Sequence, residues 1–71
     1  MITKTIRLAG TSPTSFEDAI AAVLARAALT IDAIESFQVV DMGGTVDESG
    51  APAAFRVSID VTFVVKESVH G

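Results

Sequence analysis

The sequence predicts an α+β domain with the order strand, helix, long strand, long strand. Three patterns carry that prediction. Residues 2–9 alternate between apolar and polar, residues 16–31 place apolar side chains at helical spacing, and residues 55–65 alternate again over a long run.

In the first strand Ile2, Ile6 and Leu8 point one way and Thr3, Thr5 and Arg7 the other, the pattern of a half-buried strand. Gly10-Thr11-Ser12-Pro13 ends the alternation. A helix then begins in one of two registers. Ser12 can cap it with Pro13 at the first helical position. Alternatively, Thr14-Ser15-Phe16-Glu17 spells a capping box two residues later. The helix is expected to reach Thr30 or Ile31, with Phe16, Ala19, Ile20, Val23, Leu24, Ala27 and Ile31 on one apolar stripe. Ala21, Ala22, Ala25, Ala28 and Leu29 leave the remaining surface only weakly polar. Alanine favours the helix by propensity alone, and it also suits close packing of a second face on a neighbouring chain.

Asp32 and Ala33 lead into a strand from about Glu35 to Val46. Simple alternation puts Phe37, Val39 and Asp41 on one side and Gln38, Val40 and Met42 on the other. Gly43-Gly44 is expected to interrupt it with a bulge or bend. Asp47-Glu48-Ser49-Gly50 with Pro52 reads as a turn. In the last strand Phe55, Val57, Ile59, Val61, Phe63 and Val65 face a core, and Ala54, Arg56, Ser58, Asp60, Thr62 and Val64 face a more polar environment. Residues 66–71 read as a frayed tail. One helix covers one face of such a sheet, so the polar face is left for water, a cavity or an assembly interface.

The 71 residues make one domain, residues 1–71. A domain this short hides only about 60% of its unfolded surface. Yet 49% of the residues are hydrophobic and the mean hydropathy is +0.52. Cysteine is absent, so neither disulfides nor thiolate metal sites can supplement the core. The surplus apolar surface predicts oligomerisation. Nine acidic against five basic residues give a net charge of −4, without the basic footprint that nucleic-acid binding needs. No apolar run is long enough for a membrane helix and no signal peptide is visible, so the expected location is the cytoplasm.

Catalysis finds little support. The one histidine, His70, lies in the expected tail, which leaves no oriented base for a nucleophile. Gly10-Thr11-Ser12 enters a helix, but a single glycine reads as capping rather than a phosphate cradle. Glu17-Asp18 suits the first helical turn, where the helix dipole stabilises negative charge. Asp47 and Glu48, beside Ser49 and backbone carbonyls, form either a solvated turn or part of an all-oxygen site for a hard cation such as calcium. The EF-hand spacing is absent, so one chain supplies too few ligands and a symmetric oligomer would have to multiply them. Arg56 lies mid-strand on the polar side. It either pairs with Asp60, Asp41 or Glu35, or contacts an anion or ring in a subunit cleft.

Gly10-Thr11-Ser12, the run Ala19 to Ile31 with Ala25-Arg26-Ala27 inside it, Gly44, Phe55-Arg56-Val57 and Val61-Thr62-Phe63 together resemble the dodecins over residues 2–67. The resemblance implies a three-stranded antiparallel sheet wrapped on one helix, and a hollow homododecamer. It also implies a non-enzymatic role, with flavin (FMN, FAD or riboflavin) stored in pockets between subunits. In most dodecins a tryptophan on the second strand stacks on the flavin ring and a glutamine on the third bonds its edge.

Those positions are Ser36 and Arg56 here, while Phe37 keeps an aromatic beside Gln38. The usual arginine before the glycine is Gly43, and the usual basic residue after Phe63 is Val64. Ser36 has no ring to stack, and a guanidinium only donates where an amide both donates and accepts. Gly10-Thr11-Ser12-Pro13-Thr14-Ser15-Phe16-Glu17 and Phe55-Arg56 are most similar to a branch that lacks the tryptophan and is associated with calcium. The expectation is therefore a shell that binds a small ligand or ion, with calcium preferred. A flavin shell with a pocket rebuilt around Phe37, Gln38 and Arg56 is the alternative, and a purely structural shell the third reading. The resemblance does not carry the calcium ligands across residue by residue; Asp47 and Glu48 are nominated on their chemistry alone.

Overall fold

The computed structural model describes residues 1–66. Four elements follow in order: β1 (Ile2–Ser12), α1 (Phe16–Ala28), β2 (Ile34–Val46) and β3 (Pro52–Val65). The expected tail lies outside the described residues from position 67 onward, and His70 with it.

The three strands form one antiparallel sheet in the order β1-β3-β2. The central place goes to β3, the strand with the cleanest alternation, because it must pair on both sides. Its Val57, Ile59 and Val61 are fully buried. They pack with Ala19 and Val23 of α1, and Ile6, Leu8, Phe16, Ile20, Leu24, Ile34 and Val39 close around them. Phe16 meets Phe55 edge to face, with ring centroids 5.1 Å apart. Gly10 lets the helix approach β1, since a Cβ there would collide with the Val23 methyl.

Several element boundaries differ from those the sequence predicts. β1 runs three residues beyond Ala9 to Ser12, because Gly10, Thr11 and Ser12 continue the pairing with Val57, Arg56 and Phe55. The helix is capped by Ser15, whose hydroxyl accepts the Asp18 N–H at 2.9 Å. Neither Ser12 nor Thr14 is the cap. Ser12 is instead a buried brace: its hydroxyl donates to Asp18 Oδ2 at 2.6 Å and accepts the Thr14 N–H at 2.9 Å. The helix ends at Ala28, short of Thr30. The Leu29 N–H turns to the Arg26 carbonyl, while the Thr30 and Ile31 N–H groups both turn to that of Ala27. That tightening of the last turn satisfies helix-end carbonyls. Ala33 then reverses the chain with φ of 58°, a left-handed conformation rare outside glycine.

The largest departure is in β2. Gly43 and Gly44 do not interrupt it; both stay paired, with Arg56 and Phe55. Register shifts fall instead between Ile34 and Ser36, between Val39 and Asp41, and between Thr45 and Val46; the middle one, at Val40, separates the Val39–Ile59 and Asp41–Ser58 pairs. One extra residue flips every later side chain. Met42 thus joins Phe37 and Val39 on the helix side, opposite Val57, and Asp41 joins Gln38 on the other face.

The core is unfinished at two places. α1 has 13 residues and spans about 20 Å, whereas β2, also 13 residues, spans about 43 Å. The helix lies chiefly over β1 and β3 and covers β2 only in part, where Ile34 and Val39 reach the core. Phe37 and Met42 on its helix-side face are therefore 47% and 50% exposed. The radius of gyration is 15.3 Å, against about 11 Å for a compact domain of this length.

Candidate functional site

The sheet face turned away from α1 gathers the polar side chains that the sequence left over. Alternation along β3 places Arg56, Ser58, Asp60 and Thr62 there, and the ladder sets their neighbours. Thr5 and Thr62 share a hydroxyl hydrogen bond of 2.8 Å. Arg7 grips Asp60 in a two-pronged pair at 2.7 and 3.2 Å. That pair holds the Asp60 carboxyl below its ordinary range, chiefly by the hydrogen bond from Arg7, and raises the Arg7 guanidinium correspondingly.

Arg56 stands at the far end of this face. Its nearest carboxylate is Asp41, with Nη2 and Oδ2 3.6 Å apart. Of the three acidic partners considered, Asp60 belongs to Arg7, and Asp41 reaches Arg56 because the Val40 bulge turns it to this face. Gly43 is the direct cross-strand partner of Arg56. A Cβ at Gly43 would stand 2.7 Å from Arg56 Nη2, so the guanidinium lies across the bare glycine backbone.

The residues nominated from sequence are only partly brought together. Ser36, Gln38 and Arg56 share the open face, whereas Phe37 pairs with Val61 on the helix side. Ser36 sits opposite Thr62, six residues along β3 from Arg56, which places the two about 20 Å apart. At that separation the two cannot line one compact pocket within a single chain. The Arg7–Asp60 pair and the role of Gly43 escaped the sequence reading. Their residue types were visible, but the strand register that pairs them was not.

Asp47 and Glu48 lie in the β2–β3 turn. Asp47 Oδ1 accepts hydrogen bonds from the Ser49 N–H, the Ser49 hydroxyl and the Ala51 N–H at 2.9, 2.7 and 3.1 Å. These bonds, the Ser49 hydroxyl foremost, hold the Asp47 carboxyl below its ordinary range. Oδ1 is committed to the turn, leaving Oδ2 and the Glu48 carboxylate as free oxygens. Among the described residues no three acidic or histidine side chains cluster to hold a metal.

A concavity lies beside α1. It is an open groove of about 470 Å³ between the helix and the outer edge of β1, lined by Ile6, Leu8, Ala22, Val23, Ala27 and Ile31, with Arg26 as its one charged residue. Among the described residues no helix is long and apolar enough to cross a membrane.

Comparison with known proteins agrees with this architecture. The family description "Dodecin" matches residues 2–66. A dodecin from Thermus thermophilus is 37% identical over 65 residues, 92% of this chain and 93% of that protein. The calcium dodecin of Mycobacterium tuberculosis is 35% identical over 63 residues, covering 89% and 87% of the two chains. Its crystal structure, which has a novel calcium-binding site, superposes with a TM-score of 0.80 at 32% identity over all of both chains. A crystal structure of a T. thermophilus dodecin variant gives a TM-score of 0.87 at 36% identity, over 93% of this chain and 97% of that one. With the fold, the strand order and nearly the whole length in common, this chain belongs to the dodecin family.

Proposed function

We propose that the chain builds a closed homododecameric shell that binds or sequesters a small ligand or ion, calcium in preference to flavin, without catalysing a reaction. It acts as a cytoplasmic store. The observation that carries the ligand preference is Ser36. At the position where a flavin-stacking ring is expected stands a hydroxymethyl group, and Phe37 is turned to the opposite face. Ring stacking contributes about 0.5–1.5 kcal/mol beyond area burial, and here nothing on the open face supplies it. The M. tuberculosis relative named for calcium supports the cation.

Assembly is supported by the unfinished core, since Phe37 and Met42 remain half exposed on a chain too small to cover them. Calcium requires about six to eight oxygen ligands. The free oxygens of Asp47 and Glu48 meet that number only when turns or faces from several copies converge.

The test is a melting series on the purified protein with calcium, with magnesium and with riboflavin. A rise in melting temperature with calcium but not magnesium, in colourless protein, is the expected result. Quenching of riboflavin fluorescence at micromolar protein would replace this reading with the rebuilt flavin pocket. No response to any of the three would leave a structural shell.

A further inference from the structure

We propose that the outer edge of β2 pairs with the same edge of a second copy when folded chains stand alone, and that this contact, left unchecked, grows into cross-β fibres. Residues 36–40 are the pairing segment, and Glu35 and Asp41 at its two ends hold it in check. The proposal does not depend on the shell or its ligand; it concerns a contact that competes with correct assembly.

The strand order β1-β3-β2 leaves two sheet edges, and each presents a row of backbone N–H and C=O groups to any strand that fits. The two edges differ in composition. β1 carries Lys4 and Arg7 within its length, and charged side chains, lysine above all, blunt an edge. β2 carries Ser36-Phe37-Gln38-Val39-Val40, a run without charge, proline or glycine. Phe37 and both valines are strong strand formers. Phe37 is 47% and Val40 39% exposed. In a regular strand Phe37 and Val39 share one face, and Gln38 and Val40 the other. Stacked copies bring like side chains together, with Gln38 forming an amide ladder.

β2 also bears the devices that oppose such pairing. Its register with β3 slips between Ile34 and Ser36 and again between Val39 and Asp41, so an irregularity lies at each end of the run. Bulges twist an edge away from an incoming strand. Charge stands at the same two places, since Glu35 and Asp41 flank the run. Antiparallel pairing centred on Gln38 sets Glu35 against Asp41 at both ends, and parallel in-register pairing sets each against its own copy. Like charges directly opposite are destabilising in either arrangement. Asp41 already has Arg56 3.6 Å away, so Glu35 is the stronger guard.

The full chain is refolded by dilution from denaturant at rising protein concentration, with thioflavin T fluorescence following fibre growth. Fibres are expected in the parent, increasing with concentration. Glu35→Gln is expected to shorten the lag several-fold. Val40→Lys, which puts charge inside the run, is expected to lengthen it several-fold, and Thr3→Lys on the β1 edge to leave it unchanged. Absence of fibres at every concentration, or an equal delay from Val40→Lys and Thr3→Lys, would overturn the proposal.

Substitutions can also change how fast chains assemble, so fibres of the parent supply a second readout. Hydrogen exchange followed by peptic digestion is expected to find residues 36–40 among the slowest-exchanging amides. A slow core confined to β1 or β3, with β2 exchanging freely, would overturn the assignment.

Discussion

Arg56 lies across Gly43 on the open face of the sheet, its Nη2 only 2.7 Å from where a Cβ of residue 43 would stand. The neighbouring glycine is constrained differently. A Cβ at Gly44 would strike the backbone carbonyl of Ala54. The two adjacent glycines therefore predict unequal outcomes. Gly43→Ala displaces the end of a flexible side chain and is expected to lower stability by less than about 1 kcal/mol. Gly44→Ala forces β2 and β3 apart and is expected to cost about 1–3 kcal/mol, as overpacking does. Urea unfolding of both variants checks the order; equal losses would mean that the Gly44 contact relaxes freely.

The brace between Ser12 and Asp18 gives a second expectation. Ser12 is 2% exposed and joins the end of β1 to the first turn of α1. Ser12→Ala strands the Thr14 N–H and one Asp18 oxygen, with a loss of about 1–2 kcal/mol. A Ser12→Ala protein melting within a degree of the parent would contradict the structural role.

Ala33 offers a gain. Its left-handed φ of 58° costs a residue with a Cβ roughly 1–2 kcal/mol, and glycine removes that strain while loosening the unfolded chain by roughly 0.5–1 kcal/mol. Ala33→Gly should be neutral to stabilising by up to about 1 kcal/mol, read as a higher denaturant midpoint. A clear drop in midpoint would place the strain elsewhere.

Two carboxyls make the fold sensitive to acid. Asp60, through Arg7, and Asp47, through Ser49 and Ala51, are both held below the ordinary value of 3.8 in the folded state. A depressed folded value means that the unfolded chain takes up protons first as pH falls. Their contribution is therefore complete above the unfolded value and disappears as pH drops through the folded one. Melting temperature should be level near neutrality and fall below about pH 4. Asp60→Asn should flatten that fall, and an unchanged acid slope would show that the Arg7–Asp60 pair is not the source. Both side chains sit at the surface, so salt should weaken the effect.

Restoring the ring and the amide tests why flavin is disfavoured. Ser36→Trp combined with Arg56→Gln is expected to confer riboflavin quenching that neither the parent nor Arg56→Gln shows. Because the two positions lie about 20 Å apart in one chain, the gain would also require two subunits to meet at the open face. Absence of quenching in a double variant that still assembles would mean that residues beyond this pair close the pocket.

The sequence alone determined the three elements whose patterns have one solution. In β1 and β3 only one side is apolar, so period-two alternation fixes which face meets the helix. In α1 the stripe from Phe16 to Ala27 fixes the buried side in the same way. β2 was not decided locally, because Phe37, Val39, Val40 and Met42 put apolar side chains on both faces of any regular strand. Only pairing with β3 selects the register, and the bulge at Val40 then sends Met42 to the helix side and Asp41 toward Arg56. The pairing of Arg7 with Asp60, and the division of Ser36 and Phe37 between faces at opposite ends of the site from Arg56, follow from the same long-range register. Residue types are written in the chain, but which of them become neighbours across a sheet is set by pairing between strands, which joins residues as far apart in sequence as Ile2 and Val65.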